Sequence, residues 1–385
     1  MLTQKLFETD SYIREFTATV LSCTKNGENY DVILDKTAFF AEGGGQKADT
    51  GTIDSVTVLD VQETEGEIIH KTDAPLMENT TVTGKIDWDI RFARMQSHTG
   101  EHIVSGVAHS LFGVNNIGFH MSENLLMTVD FDKPLSKDDI KKIELLSNQK
   151  IYQNYEVTAY YPTADELKTL DYRSKLDIKS GVRIVNIEGT DSCACCAPHV
   201  SATGEVGLIK IIDFYPNKQG VRIEMLAGLP ALEDYITLNN QNKQIMGLLC
   251  AKREDIVSAV TEQSNALNTA RSENTRLSRE LALSQLNPEK INDSAYAVLE
   301  NKNFEELRYC SNTLIEKFNI CALFSTADDN TVMYVLSSKN SDVLPIVKEL
   351  NSAFNGKGGG KPNYAQGKLT VENLPDLTEK IKEML

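Results

Sequence analysis

A chain of 385 residues, 41% of them hydrophobic, is long enough for two or three domains with real cores. Its formal net charge of -16 argues against a general nucleic-acid binder, whose phosphate contacts need clustered Lys and Arg, but leaves room for one RNA held by a local basic face. No run of about eighteen apolar residues occurs, and the first eight residues lack a basic n-region and an apolar h-region, so neither a membrane span nor a secretory signal is expected.

Residues 1–88 read mostly as strands. The stretch 16–23 alternates apolar and polar residues, Asn26-Gly27 is a hairpin signal, and 30–35 alternates again. Segments 51–54, 56–59, 67–70 and 81–86 continue the pattern, and a small β-barrel is the economical packing. Within it lies Thr37-Ala38-Phe39-Phe40-Ala41-Glu42-Gly43-Gly44-Gly45-Gln46. Three successive glycines suit a loop whose backbone N–H groups approach a phosphate or ribose, or equally a plain flexible turn.

Asp87-Trp88-Asp89 opens a helix over 90–112, with Phe92, Met95, His98, His102, Val104 and Leu111 near helical spacing and Gly113 as its stop. His98 and His102 share one face of it, one turn apart, so both imidazoles can reach one ion. A strand is expected at 124–131, then a helix through 148 with Ser136 as N-cap and Asp138 and Asp139 in its first turn. A strand at 156–161, a short helix at 163–169 and a strand at 182–187 lead to Cys193-Ala194-Cys195-Cys196-Ala197-Pro198-His199. Cys195 and His199 add a thiolate and a third imidazole, completing a donor set that zinc accepts readily. Either pair alone is commonly only a polar surface feature. Together, among small residues, they point to one Zn2+ held by His98, His102, Cys195 and His199, with His109 left structural. Seven cysteines, three of them crowded into 193–196, are no disulfide framework and suit a reducing, cytoplasmic setting. Strands at 207–212 and 220–226 complete an α+β pattern.

From Pro230 the texture changes. No proline or strand signal interrupts 231–286, although Gly247 weakens the helix locally. Ile256, Val260, Gln263, Leu267, Ala270, Asn274, Leu277 and Leu281 follow a heptad seam, in which Asn274 is a polar residue able to fix register. The seam suits pairing with a second chain or with the helix at about 232–250. Asn287-Pro288 ends it. The remainder alternates strands (295–299, 320–325, 332–337) with helices (305–318, 343–354, 378–384), a small α/β domain. Its Gly356-Lys357-Gly358-Gly359-Gly360-Lys361-Pro362 fails as a P-loop, because the spacing is wrong and Pro362 stands where a Ser or Thr would bind magnesium. What survives is a glycine loop with Lys357 and Lys361, lying against a phosphate backbone or simply turning in solvent. The expected domains are 1–88, 89–229, a helical linker at 230–287 and 288–385.

The residues now carry a resemblance. His98-x-x-x-His102 followed by Cys195-x-x-x-His199 resembles the zinc signature of the editing domain of alanyl-tRNA synthetase and of the free-standing AlaX-type alanyl-tRNA editing proteins. Phe39 to Gln46 with Asp49-Thr50-Gly51 is similar to that family's N-terminal glycine motif, and His199 to Gly207 to the stretch after its Cys/His motif. The glycine stretch at 356–360 with Lys361-Pro362 is similar to the synthetase's C-terminal domain. One departure is that the family's Cys-Gly-Gly-Thr-His is here Cys195-Cys196-Ala197-Pro198-His199. No aminoacylation module is seen upstream.

The resemblance implies a stand-alone, zinc-dependent deacylase of mischarged tRNA(Ala), foremost Ser-tRNA(Ala) or Gly-tRNA(Ala). Four protein ligands close a tetrahedral zinc. Either one, His199 being the candidate, is then loose, or zinc mainly organises the pocket. Thr37, Gly43, Gly44, Gly45 and Gln46 are the candidate substrate-binding residues, and a hydroxyl such as that of Thr37 would favour serine over alanine. Glu101 and Gln46 are candidate catalytic groups, Glu101 as general base, although it suits a surface helix position equally. Lys357 and Lys361 are the candidate tRNA contacts, and the helical linker or C-terminal domain would hold tRNA or form a homodimer. Two rivals remain. His98-Thr99-Gly100-Glu101-His102 fits the His-x-x-Glu-His metallopeptidase pattern, and a closed zinc site suits a non-catalytic tRNA-binding protein.

Overall fold

The computed structural model describes residues 2–174, 181–218, 220–327 and 330–385. Helices and sheets are mixed throughout, in two compact units, Met1–Lys243 and Gln244–Leu385. Among the described residues no helix is long and apolar enough to cross a membrane.

The first unit begins with six strands that pair into a closed ring, in the order Glu15–Asn26, Asn29–Leu34, Glu67–Thr72, Val56–Thr64, Gly51–Ile53 and Thr81–Ile86. Period-two alternation sends Val20, Val32, Leu34, Ile53, Val58 and Ile68 into its core. The Asn26-Gly27 signal turns the first hairpin, with Gly27 at φ +62°.

Thr37 and His70 are fully buried in this region. The Phe39 N–H donates to Thr37 Oγ1 (3.1 Å), the Thr37 hydroxyl to His70 Nε2 (2.8 Å), and His70 Nδ1–H to Val32 O (3.1 Å). This network assigns the neutral tautomer. The Thr37 hydroxyl, expected to read a substrate, thus gives its proton to His70 inside the fold. Burial holds the His70 imidazole at a pKa of about 4, well below its ordinary value. An unfolded histidine takes up a proton below about 6.5, and the folded one does not until about 4. Stability from this group is therefore present at neutral pH and lost as pH falls through that window, by about 3 kcal/mol in all. Urea melts at pH 6.5 and 4.5 should show a smaller acid loss for His70→Gln than for wild type. Equal losses would remove His70 from the account.

Helix α1 (Trp88–Phe112) buries every residue from Ser97 to Ala108, and Gly113 ends it in the left-handed region. Gly106 lets it lie close to the next layer, since a Cβ there would stand 2.4 Å from Thr190 O. Helix α2 (Lys137–Gln153) starts at Ser136 with a full capping box, and α3 (Ala164–Thr169) likewise at Thr163. A four-stranded sheet runs Ile209–Asn217, Gly220–Ala227, Met127–Phe131, Asn116–Met121, and a three-stranded sheet runs Val157–Tyr160, Ile184–Ile187, Asp191–Ala194. Met95, Ile103 and Val104 of α1 share one core with Met127, Val129, Ile223 and Met225.

The stretch 231–286 forms two helices, α4 (Leu229–Leu249) and α5 (Ile256–Gln285), so the helix expected at about 232–250 is separate from the one that carries the heptad seam. Cys250 takes a left-handed conformation at φ +52°, three residues after the weakening Gly247, and a single turn at Arg253–Asp255 precedes α5. On α5, Val260, Leu267, Leu277 and Leu281 are exposed. The second unit's sheet runs Glu289–Ile291, Ser294–Glu300, Ile320–Thr326, Thr331–Ser338, Tyr364–Thr370, Lys357–Lys361, with α6 (Phe304–Leu314), α7 (Leu344–Ala353) and α8 (Leu374–Met384) completing it. The expected glycine loop is therefore a strand. Lys357–Lys361 forms the sheet's edge, exposed along its length. Its glycines serve packing at least once, since a Cβ on Gly358 would meet Tyr334 Oη at 2.2 Å.

Candidate metal centre

The first unit gathers His98, His102, Cys195 and His199. One ligand atom from each lies within 4.8 Å of all the others. Cys195 Sγ is 3.6 Å from His98 Nε2 and 3.4 Å from His199 Nε2. The two α1 histidines come from helical spacing, and the Cys195 segment follows the strand Asp191–Ala194.

Each imidazole is anchored through its other nitrogen. His98 Nδ1 donates to Gln46 Oε1 (2.9 Å) and His102 Nδ1 to Asp191 Oδ2 (3.0 Å), while His199 Nδ1 shares a hydrogen bond with Thr99 Oγ1 (3.0 Å). Thr99 Oγ1 also accepts the Val200 N–H at 3.3 Å, and Asp191 is held by Arg173 at 2.7 and 2.8 Å. The first two bonds fix the tautomers that leave the Nε2 atoms of His98 and His102 as acceptors facing the centre, and the Thr99 bond holds the His199 ring with its Nε2 on the same side, the arrangement usual around metal-ligating histidines. Burial, then the neighbouring His102 and His98, keep His199 neutral, its pKa well below the ordinary value. Burial also pushes the Cys195 thiol up. A dication at the centre reverses the second effect by favouring the thiolate. The residues therefore fit a tetrahedral cation site with three nitrogen donors and one sulfur donor, of the kind zinc takes. A second grouping, His102, Asp191 and Cys193, competes for His102, but there the carboxylate is already bound by Arg173.

A cavity of about 350 Å3 opens beside the centre, lined among others by His98, His102, Cys195, Glu101 and Gly44. Glu101 is not at the surface, as helical position alone allowed, but 2% exposed. Its Oε1 accepts from Ser105 Oγ (2.5 Å) and Asn116 Nδ2, and its Oε2 lies 4.0 Å from His102 Nε2. Gln46 acts on His98 rather than facing a ligand with its carbonyl. In the glycine stretch, the N–H groups of Gly43 and Gln46 are spent on each other's carbonyls at 3.1 and 3.0 Å, so these two do not cradle an anion. Gly44 alone of the three glycines lines the cavity. Lys357 and Lys361 belong to the second unit. The histidine anchors Thr99 and Asp191 escape a reading of ligand motifs. Asp191, two positions before Cys193 and four before Cys195, carries the one available signal, because alternate strand positions share a face.

Family profiles match three segments: tRNA synthetases class II (A) at residues 10–90, the threonyl and alanyl tRNA synthetase second additional domain at 182–224, and the DHHA1 domain at 293–385. The chain is 29% identical over 387 residues to the alanyl-tRNA editing protein Aarsd1 of Rattus norvegicus, covering 95% of this chain and 94% of that one. It is 28% identical over 396 residues to the alanyl-tRNA editing protein AlaX-L of Pyrococcus horikoshii, covering 97% and 96%. It is 30% identical over 397 residues to the alanine–tRNA ligase of Ignicoccus hospitalis, where all of this chain matches 42% of the ligase.

Proposed function

Because the chain belongs with the AlaX-type alanyl-tRNA editing proteins, we propose that it hydrolyses the aminoacyl ester of mischarged tRNA(Ala), with seryl- and glycyl-tRNA(Ala) as substrates and one Zn2+ as cofactor. The observation that carries this reading is the convergence of three Nε2 atoms and one Sγ beside a cavity of about 350 Å3. His98, His102, Cys195 and His199 would hold the ion, which when bound supplies Lewis-acid polarisation of a carbonyl or acidifies a water.

The chain's own groups do the rest. Gln46, Asp191 and Thr99 keep the imidazoles aimed, and Glu101 is the proton acceptor for the attacking water. Its carboxylate is buried at the cavity, held by Ser105 and Asn116, which keeps it ordered and desolvated. The thiol beside His98 and His199 favours this reading over a peptidase, whose His-x-x-Glu-His site needs no cysteine. A closed four-donor set is the observation that favours a non-catalytic, zinc-stabilised tRNA binder. In the second unit, Lys357 and Lys361 on the exposed edge strand are proposed to meet the tRNA backbone, and the α5 seam to pair with a second copy. Such an activity belongs in the cytoplasm, where tRNA is charged.

The test is release of serine from Ser-tRNA(Ala) and of alanine from Ala-tRNA(Ala), with zinc content measured on the same samples. Serine release in excess of alanine release is expected. Zinc binding with no release from either tRNA supports the non-catalytic reading. In the same assay, Lys357→Glu with Lys361→Glu should raise KM for whole tRNA and leave the zinc content unchanged. An unchanged KM would remove these lysines from the tRNA surface.

A further inference from the structure

Arg183 lines the cavity beside the metal centre and is only 5% exposed. Its Nη1 donates to Cys195 O (3.1 Å) and Ala197 O (2.9 Å). Its Nε is buried without a hydrogen-bond partner. Among the described residues no carboxylate forms an ion pair with it. Glu8, on the same cavity, accepts instead from the Tyr161 hydroxyl at 2.8 Å and stands 3.8 Å from Lys5 Nζ. A buried guanidinium with an idle N–H and no counter-charge among the described residues is costly, and an anion on the free edge of the fork would relieve both parts of that cost.

We propose that this anion is a phosphodiester of the RNA substrate, the one that joins the terminal nucleoside to the chain. The inference rests on the editing reading and names the group that the cavity recognises beside the ester. A phosphodiester is a standing anion, so it compensates the buried charge as soon as the substrate binds. An oxyanion that forms only transiently on the ester carbonyl would leave the charge unpaired in the bound complex. Arginine is suited to this task because its planar fork grips phosphate oxygens while the other edge stays fixed. Here the fixed edge is the backbone of the metal-ligating segment itself. Arg183 thus sets the distance between the phosphate and Cys195, and through it the position of the ester at the centre.

Adenosine 5′-monophosphate and adenosine differ only in that phosphate, so calorimetric titration of each into the zinc-loaded full chain reads the contact directly. Wild type is expected to bind the monophosphate ~10-fold more tightly, the scale of one charge-assisted hydrogen bond. Arg183→Gln should lose this preference and keep its zinc. Equal binding of the two ligands by wild type, or an unchanged preference in the variant, overturns the proposal. Should Arg183→Gln fail to retain zinc, Arg183→Lys replaces it: it keeps the charge without the fork and should retain only part of the preference, and full retention overturns the proposal. Serine release is read separately. Release without phosphate preference sinks this inference and leaves editing standing, whereas preference without release does the reverse.

Discussion

His98→Ala should strip the metal from the protein and reduce serine release from Ser-tRNA(Ala) to the uncatalysed rate. The imidazole it removes is one of four donors whose ligand atoms lie within 4.8 Å of each other. Three remaining donors would bind zinc far more weakly and leave its position undefined. Asp191→Asn gives the graded counterpart. The Asp191 carboxylate accepts from His102 Nδ1 at 3.0 Å and is itself clamped by Arg173. An amide in its place can turn its N–H2 toward the imidazole and favour the wrong tautomer. Loss of such an outer partner typically costs about 10–100-fold in metal affinity or activity. Zinc quantification and competition with a chelator measure both variants. If His98→Ala keeps stoichiometric zinc, the four-donor site is wrong. If it loses zinc and still deacylates, the metal is structural and catalysis lies elsewhere in the cavity, with Glu101 the first group to test.

Asp49→Ala should destabilise the first unit by about 3–5 kcal/mol in urea unfolding. Arg91 and Asp49 are both buried, at 0% and 1% exposure. Arg91 Nε donates to both carboxylate oxygens at 2.9 Å, Nη2 donates to Asp49 Oδ2, and Nη2 also reaches Ala38 O at 2.6 Å. Asp49 Oδ2 accepts the Phe40 N–H at 2.6 Å as well. Removing the carboxylate strands a guanidinium in the core, and a typical domain has only about 5–15 kcal/mol to lose. The pair has a second consequence. It ties the glycine stretch to α1, and Gln46 at the end of that stretch orients His98. Asp49→Ala should therefore weaken zinc binding although Asp49 touches no ligand. The double variant with Arg91→Met should recover much of the lost stability, because no unpaired charge remains. If the double variant is as unstable as the sum of the two singles, the loss comes from packing rather than from stranded charge.

Much of the architecture was legible because it is encoded locally. The period of two in residues 15–26 and 29–34, the Asn26-Gly27 turn, the Ser136 cap and the His98/His102 face of α1 each depend on residues within a few positions of one another. Local signals failed where distant pairing decides the conformation. Gly358 to Gly360 read as a loop because glycine is a poor strand former, but pairing with Tyr364–Thr370 and the close approach of Tyr334 make a strand the better packing. The first of the two helices in 231–286 ends at Leu249, two residues past the weakening Gly247, and Cys250 turns the chain although no proline marks the site.

Composition and helical period were enough to say which residue types could serve the centre and that two imidazoles would lie on one helical face. Tertiary structure alone decided what each of them touches. Gln46 reaches His98 across 52 positions, Asp191 reaches His102 across 89, and Thr99 reaches His199 across 100. It turned Thr37 inward to His70, buried Glu101, and left the guanidinium of Arg183 beside the cavity with no carboxylate paired to it among the described residues. Periodicity fixes a side chain's direction relative to its own backbone. Its partner depends on which distant segment the packing of the cores brings opposite, and no local pattern carries that information.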